Sequence, residues 1–145
     1  MTAPLANVFT LGTRDFASLR AFYLRLGWPV VFEGDDFVAF ELRGAVVCLF
    51  PVASLAADGR VAPETQRNGM RFSIGIQVDS AAAVDALTEQ VRSAGGRITK
   101  EPVDAEFFEG RSAYWADPEE NYWEIVWATP DNPVVAAARR AASIR

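Results

Sequence analysis

Glu124 is the residue of this sequence whose type and setting most clearly suggest chemistry. Its segment alternates two sets of side chains: Tyr122, Glu124 and Val126, and between them Trp123, Ile125 and Trp127. Successive side chains of a strand point to opposite faces, so Glu124 is predicted to lie on the face away from the tryptophans. A carboxylate in apolar surroundings can act as a general acid or base, or can hold a basic ligand. Pairing with an arginine, tyrosine or tryptophan donor in a structural role stays open as a third interpretation.

Few other residues suggest nucleophilic or metal chemistry. The chain has one cysteine, Cys48, and no histidine. Cys48 lies in the apolar stretch 46–50, where we expect it to be a small buried side chain. It cannot form an internal disulfide, and a reactive thiolate would have no histidine partner.

Composition favours one globular domain. Of the 145 residues, 50% are hydrophobic and 12% aromatic, which is enough to bury a core. The net charge is −5 and the basic residues are scattered, so we expect no nucleic-acid partner. No apolar run approaches the roughly 20 residues that span a bilayer, and residues 1–4 do not resemble a secretory signal. A cytoplasmic protein without a membrane partner is the expectation.

The chain repeats one order of elements, which is its most informative feature. The first module, 5–51, is predicted to contain a strand (5–12), a helix capped by Asp15 and ended by Gly27, and strands 28–33, 37–43 and 45–51. The second module, 71–128, repeats it with a strand (71–78), a helix capped by Asp79 or Ser80 and ended by Gly95-Gly96, and strands 97–103, 110–117 and 121–127.

Two further segments complete the chain. Residues 52–70 form a connector between the modules, or a flap over a site. In the tail, 129–145, Pro133 is well placed to start a helix over 134–142. Docking of this helix on the core, docking on a second subunit, and fraying at the surface remain open.

Motifs at both ends of this repeat resemble those of the vicinal oxygen chelate superfamily, of the glyoxalase and bleomycin-resistance type. Segment 10–15 with Phe22-Tyr23 and Leu26-Gly27-Trp28 resembles the family's opening strand, Asp cap, Phe-Tyr pair and helix end. Segment 114–124 resembles its aromatic-x-Asp-Pro-x-x-Asn-x-x-Glu hairpin, except that Glu120 stands where glycine is usual, so the turn could be of another type.

The resemblance covers residues 5–128 and implies an α+β fold. Two βαβββ modules are expected to form a curved mixed sheet around a funnel, with a C-terminal helix, in a single domain over 1–145. Members of the family generally pair, and a second subunit could cover sheet edges and the funnel mouth. We therefore expect a homodimer.

The resemblance also locates the positions that bind metal in other members: Val8, Cys48, Ser73 and Glu124. Only Glu124 is a good ligand for a divalent ion, and histidine, the commonest transition-metal donor, is missing. A zinc ion held by Cys48 and Glu124 would need at least one more ligand. We therefore expect no metal or other cofactor.

The same comparison implies a ligand-binding site in the funnel. Its expected lining is Val8, Thr10, Phe40, Cys48, Phe50, Ser73, Gly75 and Glu124, with Phe107, Phe108, Tyr114 and Trp115 as a wall or lid. Aromatic walls suit a flat or conjugated molecule. Phe107 and Phe108 are adjacent on an extended segment and cannot both face one core, so exposure or a lid role is expected for them.

Two functions follow from these observations. The first is a binding protein that holds a small, partly aromatic or cationic compound, without metal. The second is an enzyme of the lyase, isomerase or dioxygenase type that uses Glu124 as an acid or base, or as part of an atypical metal site.

Overall fold

A computed structural model describes residues 3–66 and 69–143 of the chain. The chain divides into two compact units, Met1–Gln66 and Arg67–Arg145. The elements of the first unit are β1 (Val8–Thr13), α1 (Phe16–Arg25), β2 (Val30–Glu33), β3 (Val38–Leu42), β4 (Ala45–Pro51) and α2 (Val52–Asp58). Those of the second are β5 (Ile74–Gln77), α3 (Ala81–Ala94), β6 (Arg97–Asp104), β7 (Gly110–Ala116), β8 (Tyr122–Ala128) and α4 (Pro133–Ala142).

Each unit contains one four-stranded mixed sheet, and the two sheets have the same topology. The strand orders are β1-β4-β3-β2 and β5-β8-β7-β6. In both, the first and last strands of the unit are parallel neighbours and the other pairings are antiparallel. The α+β fold of two βαβββ modules with a C-terminal helix is confirmed.

The helix ends lie where local side-chain chemistry predicted them. The Asp15 carboxylate accepts a hydrogen bond from the Ser18 backbone N–H at 3.1 Å, which lowers the pKa of Asp15. In the second unit, Ser80 rather than Asp79 is the cap, and its hydroxyl accepts from the Ala83 N–H at 3.1 Å. Gly95 ends α3 in the left-handed conformation, at φ 103°.

Each long helix packs on one face of the sheet of its own unit. In the first unit Phe22 and Tyr23 of α1 are fully buried, and the Tyr23 ring lies 5.8 Å from that of Phe40. In the second unit α3 contacts β6, β7 and β8. Beneath it Trp115 and Trp123 are fully buried and stack, with ring centroids 5.4 Å apart. The opposite face of each sheet is therefore the one left for other contacts.

Two segments show what the sequence analysis missed or left open. The connector begins with a short helix, α2, that was not predicted. The C-terminal helix packs on its own unit, because Val135 is buried and Arg139 pairs with Asp79 at 3.1 Å. Among the described residues, no helix has the length and apolar character needed to cross a membrane.

Candidate functional site

The face of the second sheet that points away from α3 carries Glu124. The predicted alternation of β8 is present: Trp123 and Ile125 are fully buried, whereas Glu124 is only half-buried. Glu124 pairs directly with Tyr114 of β7 on one side and with Gly75 of β5 on the other. These residues share one face because paired residues of neighbouring strands point the same way.

Burial controls the ionisation of Glu124. Loss of solvent raises the pKa of its carboxyl group, and two neighbours partly oppose that effect. These are the positive charge of Lys100 and a hydrogen bond from the Tyr114 hydroxyl. The group is therefore easier to protonate than an exposed glutamate and still has a donor that supports its charged form.

Tyr114 connects Glu124 to Ser73. Burial and the negative charge of Glu124 raise the pKa of the Tyr114 hydroxyl, and a hydrogen bond with Ser73 opposes this rise. The signs of these effects fit a relay in which Ser73 donates to Tyr114 and Tyr114 donates to Glu124. Glu124 on β8, Tyr114 on β7 and Ser73 directly before β5 thus form one hydrogen-bonded series.

Lys100 belongs to the same face, and the sequence analysis did not identify it. Its Nζ donates to the Ser112 hydroxyl at 2.6 Å and lies 5.0 Å from the centroid of the Tyr114 ring. Ile98 pairs with Trp115 on the helix side, so regular alternation would put Lys100 on that side too. An irregularity between Ile98 and Lys100 pairs Lys100 with Tyr114 instead. The signal that could have identified it is that Lys100 is the single lysine of the chain.

Open space lies beside Glu124. A Cβ atom added at Gly75 would meet no heavy atom within 4 Å, and Gly75 itself is exposed. Gly75 is the cross-strand partner of Glu124, so this space adjoins the carboxylate. A small molecule can approach the polar series from this side.

The four aromatic residues expected as a wall or lid have different positions. Tyr114 lies in the polar series, but Trp115 is fully buried against Trp123 on the helix side. Neighbouring residues on one strand cannot share a face, and the core position of Trp115 follows from that. Phe107 is 92% exposed in the bend before β7, and Phe108 is half-buried.

Four of the expected site residues of the first unit lie on its parallel strands β1 and β4. Thr10 pairs with Cys48 across β1 and β4 and hydrogen-bonds its thiol, while burial raises the pKa of that thiol. Phe50 shares the face of Cys48 and contacts the Phe37 ring at 5.7 Å. Val8 is 65% exposed.

Phe40 differs from these residues, because it lies in the core of the first unit. It pairs with Val47, whereas Cys48 pairs with Ala39, so Phe40 and Cys48 point to opposite faces. Its ring packs with Tyr23 and Trp28 and is fully buried. That Val8 and Cys48 of the first unit meet Ser73 and Glu124 of the second stays a prediction.

The four positions that the resemblance assigns to metal ligands form a poor donor set. Val8 has no donor atom, burial favours the neutral thiol of Cys48, and the hydroxyl of Ser73 is bonded to Tyr114. Divalent ions need deprotonated oxygen or sulfur, or neutral imidazole. Within 3–66 and 69–143, no three His, Cys, Asp or Glu side chains are grouped as metal ligands. The side chains at these positions do not fit a divalent ion.

The chain thus has two βαβββ modules, and the sheet of the second module carries a polar face with one half-buried carboxylate. The chain belongs to the Glyoxalase/Bleomycin resistance protein/Dioxygenase superfamily, whose model matches residues 6–125. No curated protein matches the chain at a significant level.

Solved structures of the superfamily resemble this chain closely in fold. A glyoxalase-related enzyme from Fulvimarina pelagi is 28% identical, with a TM-score of 0.75 over 86% of this chain and 88% of that one. The fosfomycin resistance protein FosX from Listeria monocytogenes is 21% identical, with a TM-score of 0.67 over 89% and 96%. Lactoylglutathione lyase from Agrobacterium tumefaciens is 19% identical, with a TM-score of 0.62 over 83% and 91%. At these identities the latter two show the fold alone.

Proposed function

We propose that this protein binds a small, partly aromatic or cationic molecule without a metal ion, on the face of the second sheet that carries Glu124. The observation that carries the proposal is a half-buried carboxylate, held by Tyr114, with open space at Gly75 beside it. A preformed polar group next to open space is the usual arrangement of a ligand site. Resistance proteins that hold drugs are the family model for this role.

The chemistry of the face supports metal independence. Glu124 is the one ionisable carboxylate among the four positions of the metal-binding pattern, and the partner at Ser73 is a neutral hydroxyl. Tyr114 and Lys100 already supply a hydrogen bond and a positive charge next to Glu124. Recognition can therefore proceed through side-chain hydrogen bonds and charge alone.

A substitution that fills the open space tests the location of the site. Compounds from an antibiotic and metabolite panel are titrated into ¹⁵N-labelled protein, and saturable shifts are expected at the amides of Gly75, Tyr114 and Glu124. Gly75→Val should abolish binding without unfolding the chain, because an added Cβ meets nothing within 4 Å. Gly34→Val, at a turn of the first unit with neighbours no closer than 3.9 Å, is the matched control. Absence of saturable binding by every compound would refute the proposal.

A catalytic role for Glu124 is the second candidate, and the raised pKa of its carboxyl group favours it. A carboxylate that titrates nearer to neutral pH is a better general acid or base. Glu124→Gln should then reduce turnover of a substrate at least about a hundredfold. If the variant turns over a substrate at the parental rate, binding alone remains.

We also propose a cytoplasmic homodimer. Sheets with two edges each, such as the edge strands β2 and β6, are often covered by a second subunit. Light scattering at micromolar concentration should then give twice the chain mass of 15.9 kDa. A mass of one chain would contradict the dimer.

A further inference from the structure

We infer that, of the two ligand classes proposed for this face, the partly aromatic one is bound, and that Lys100 selects those members that carry an anionic oxygen, such as a carboxylate or phosphonate. The inference rests on the proposed function, and it adds a fixed cation to the sheet face that carries Glu124. Lys100 takes its place there through a backbone irregularity, since regular pairing would have directed it to the helix side. The half-buried side chain is therefore held on a face that also carries Tyr114 and Glu124.

The contacts of Lys100 fix its head group but leave hydrogen-bonding capacity. One ammonium N–H donates to the hydroxyl of Ser112, whose residue is only 2% exposed. The head group also lies over the Tyr114 ring, at 5.0 Å from its centroid. An ammonium has three donors, and across the described residues Ser112 is its hydrogen-bond acceptor. Two N–H groups are thus available for an anionic oxygen of a ligand.

Glu124 interacts with the charge of Lys100 but, among the described residues, is not its hydrogen-bond acceptor. Its carboxyl group accepts from Tyr114, and burial favours its neutral form. A ligand oxygen at Lys100 would meet an ammonium whose hydrogen-bond acceptor, in the part of the chain that the structure describes, is Ser112 rather than Glu124. Hydrogen bonds between an ammonium and an anionic oxygen are about twice as strong as neutral ones. A ligand with an anionic group at Lys100 and a hydrogen-bond donor at Glu124 fits both residues.

Matched aromatic probes test the inference. Benzoate and phenylphosphonate carry the anion, while benzamide and benzylamine have similar rings without it. By calorimetry and NMR, the anions should bind at least about tenfold more tightly than benzamide. Lys100→Met should remove that advantage and change benzamide binding less than about twofold, whereas Lys100→Arg should keep the anions within about threefold. Thermal melts check that each variant is folded.

Because Lys100 is the single lysine, it can be observed directly. Growth on ¹³C,¹⁵N-lysine labels Lys100 alone and keeps its charge and its three N–H donors. Benzoate should shift the ¹³Cε signal of Lys100 saturably, whereas benzamide should leave it in place.

The outcomes separate the inference from the proposed function. If benzamide or benzylamine binds the Gly75 face as tightly as the anions, the role of Lys100 is overturned. The same holds if Lys100→Met binds the anions as tightly as the parent does. In both cases the proposed function still stands. Failure of all four probes and of the wider panel to bind this face overturns both.

Discussion

The Tyr114 hydroxyl donates a hydrogen bond to the Glu124 carboxylate from the directly opposite position on the neighbouring antiparallel strand. This pair links strands β7 and β8 on the face that α3 does not cover. The bond supports the charged form of a carboxylate whose pKa burial raises. The balance between burial and this hydrogen bond sets the pKa of Glu124, which can be measured.

Removing the Tyr114 hydroxyl should raise the pKa of Glu124. In Tyr114→Phe the carboxylate loses its donor, while burial and the Lys100 charge remain. Above neutral pH the free energy of unfolding should fall by about 1 kcal/mol. A ¹³C titration of the glutamate side chains, assigned with Glu124→Gln, measures the shift.

Tyr122→Phe is the matched control for that measurement. The Tyr122 hydroxyl bonds to Glu120, and this bond is the main cause of the lowered pKa of Glu120. The control should raise the pKa of Glu120 and leave that of Glu124 in place. An equal rise in the pKa of Glu124 in both variants would contradict the hydrogen bond assigned between Tyr114 and Glu124.

Replacing Glu124 should change the dependence of stability on pH. Its pKa in the folded chain lies above the ordinary value of 4.5, so between these two values the folded state binds more protons than the unfolded state. Stability therefore declines as pH rises through that window, and below it both states are protonated. Glu124→Gln should remove this decline and therefore be more stable than the parent at pH 8. At pH 4 the difference in the free energy of unfolding between the two proteins should disappear.

Thermal melts between pH 3 and pH 8 measure this difference. Glu106→Gln, at an exposed position in the bend before β7, serves as the control and should melt in parallel with the parent. A Glu124→Gln variant that loses stability relative to the parent as pH rises would reverse the sign and refute the burial argument.

The turn between β7 and β8 should prefer glycine over alanine at position 120. Glu120 has a φ of 64°, a left-handed conformation that costs a residue with a Cβ about 1 kcal/mol. Both oxygens of its carboxylate lie 2.7 Å from an Arg97 nitrogen, and Tyr122 also donates to it. Glu120→Ala and Glu120→Gly lose these contacts equally, but only alanine keeps a Cβ at the positive φ. In urea denaturation, Glu120→Ala should therefore be about 1 kcal/mol less stable than Glu120→Gly.

Position 119 is the control, because there alanine rather than glycine should give the more stable variant. It shows whether glycine stabilises this turn regardless of φ. Glu119 is not among the residues with positive φ, so its alanine variant should be at least as stable as its glycine variant. If the alanine and glycine variants have the same order of stability at both positions, backbone strain at Glu120 does not explain the difference between them.

Cys48 should react slowly with thiol reagents in the folded protein. The residue is 5% exposed, and burial raises the pKa of its thiol more than the Thr10 hydrogen bond lowers it. At pH 8 we expect labelling by a disulfide reagent at least about a hundredfold slower than in urea. Rapid labelling without denaturant would show that the thiol is accessible and ionised.

The sequence determined the order of elements because its signals are local. Asp15 and Ser80 cap their helices through hydrogen bonds within three residues, and glycine ends both helices. The period of two along β8 placed Glu124 on the face opposite the buried Trp123 and Ile125. Each of these features depends on residues near in sequence, so the repeat and the face of Glu124 could be predicted.

The tertiary structure alone decided which side chains accompany Glu124. Lys100 reaches that face because the pairing of β6 with β7 skips a residue, and strict alternation along β6 points the other way. Phe40 and Trp115, expected at the site, lie on helix-covered faces because their cross-strand partners lie there. Strand register arises from pairing between distant segments, and a single irregularity reverses the face of every residue after it. Local sequence therefore identifies the carboxylate, whereas long-range pairing selects its neighbours.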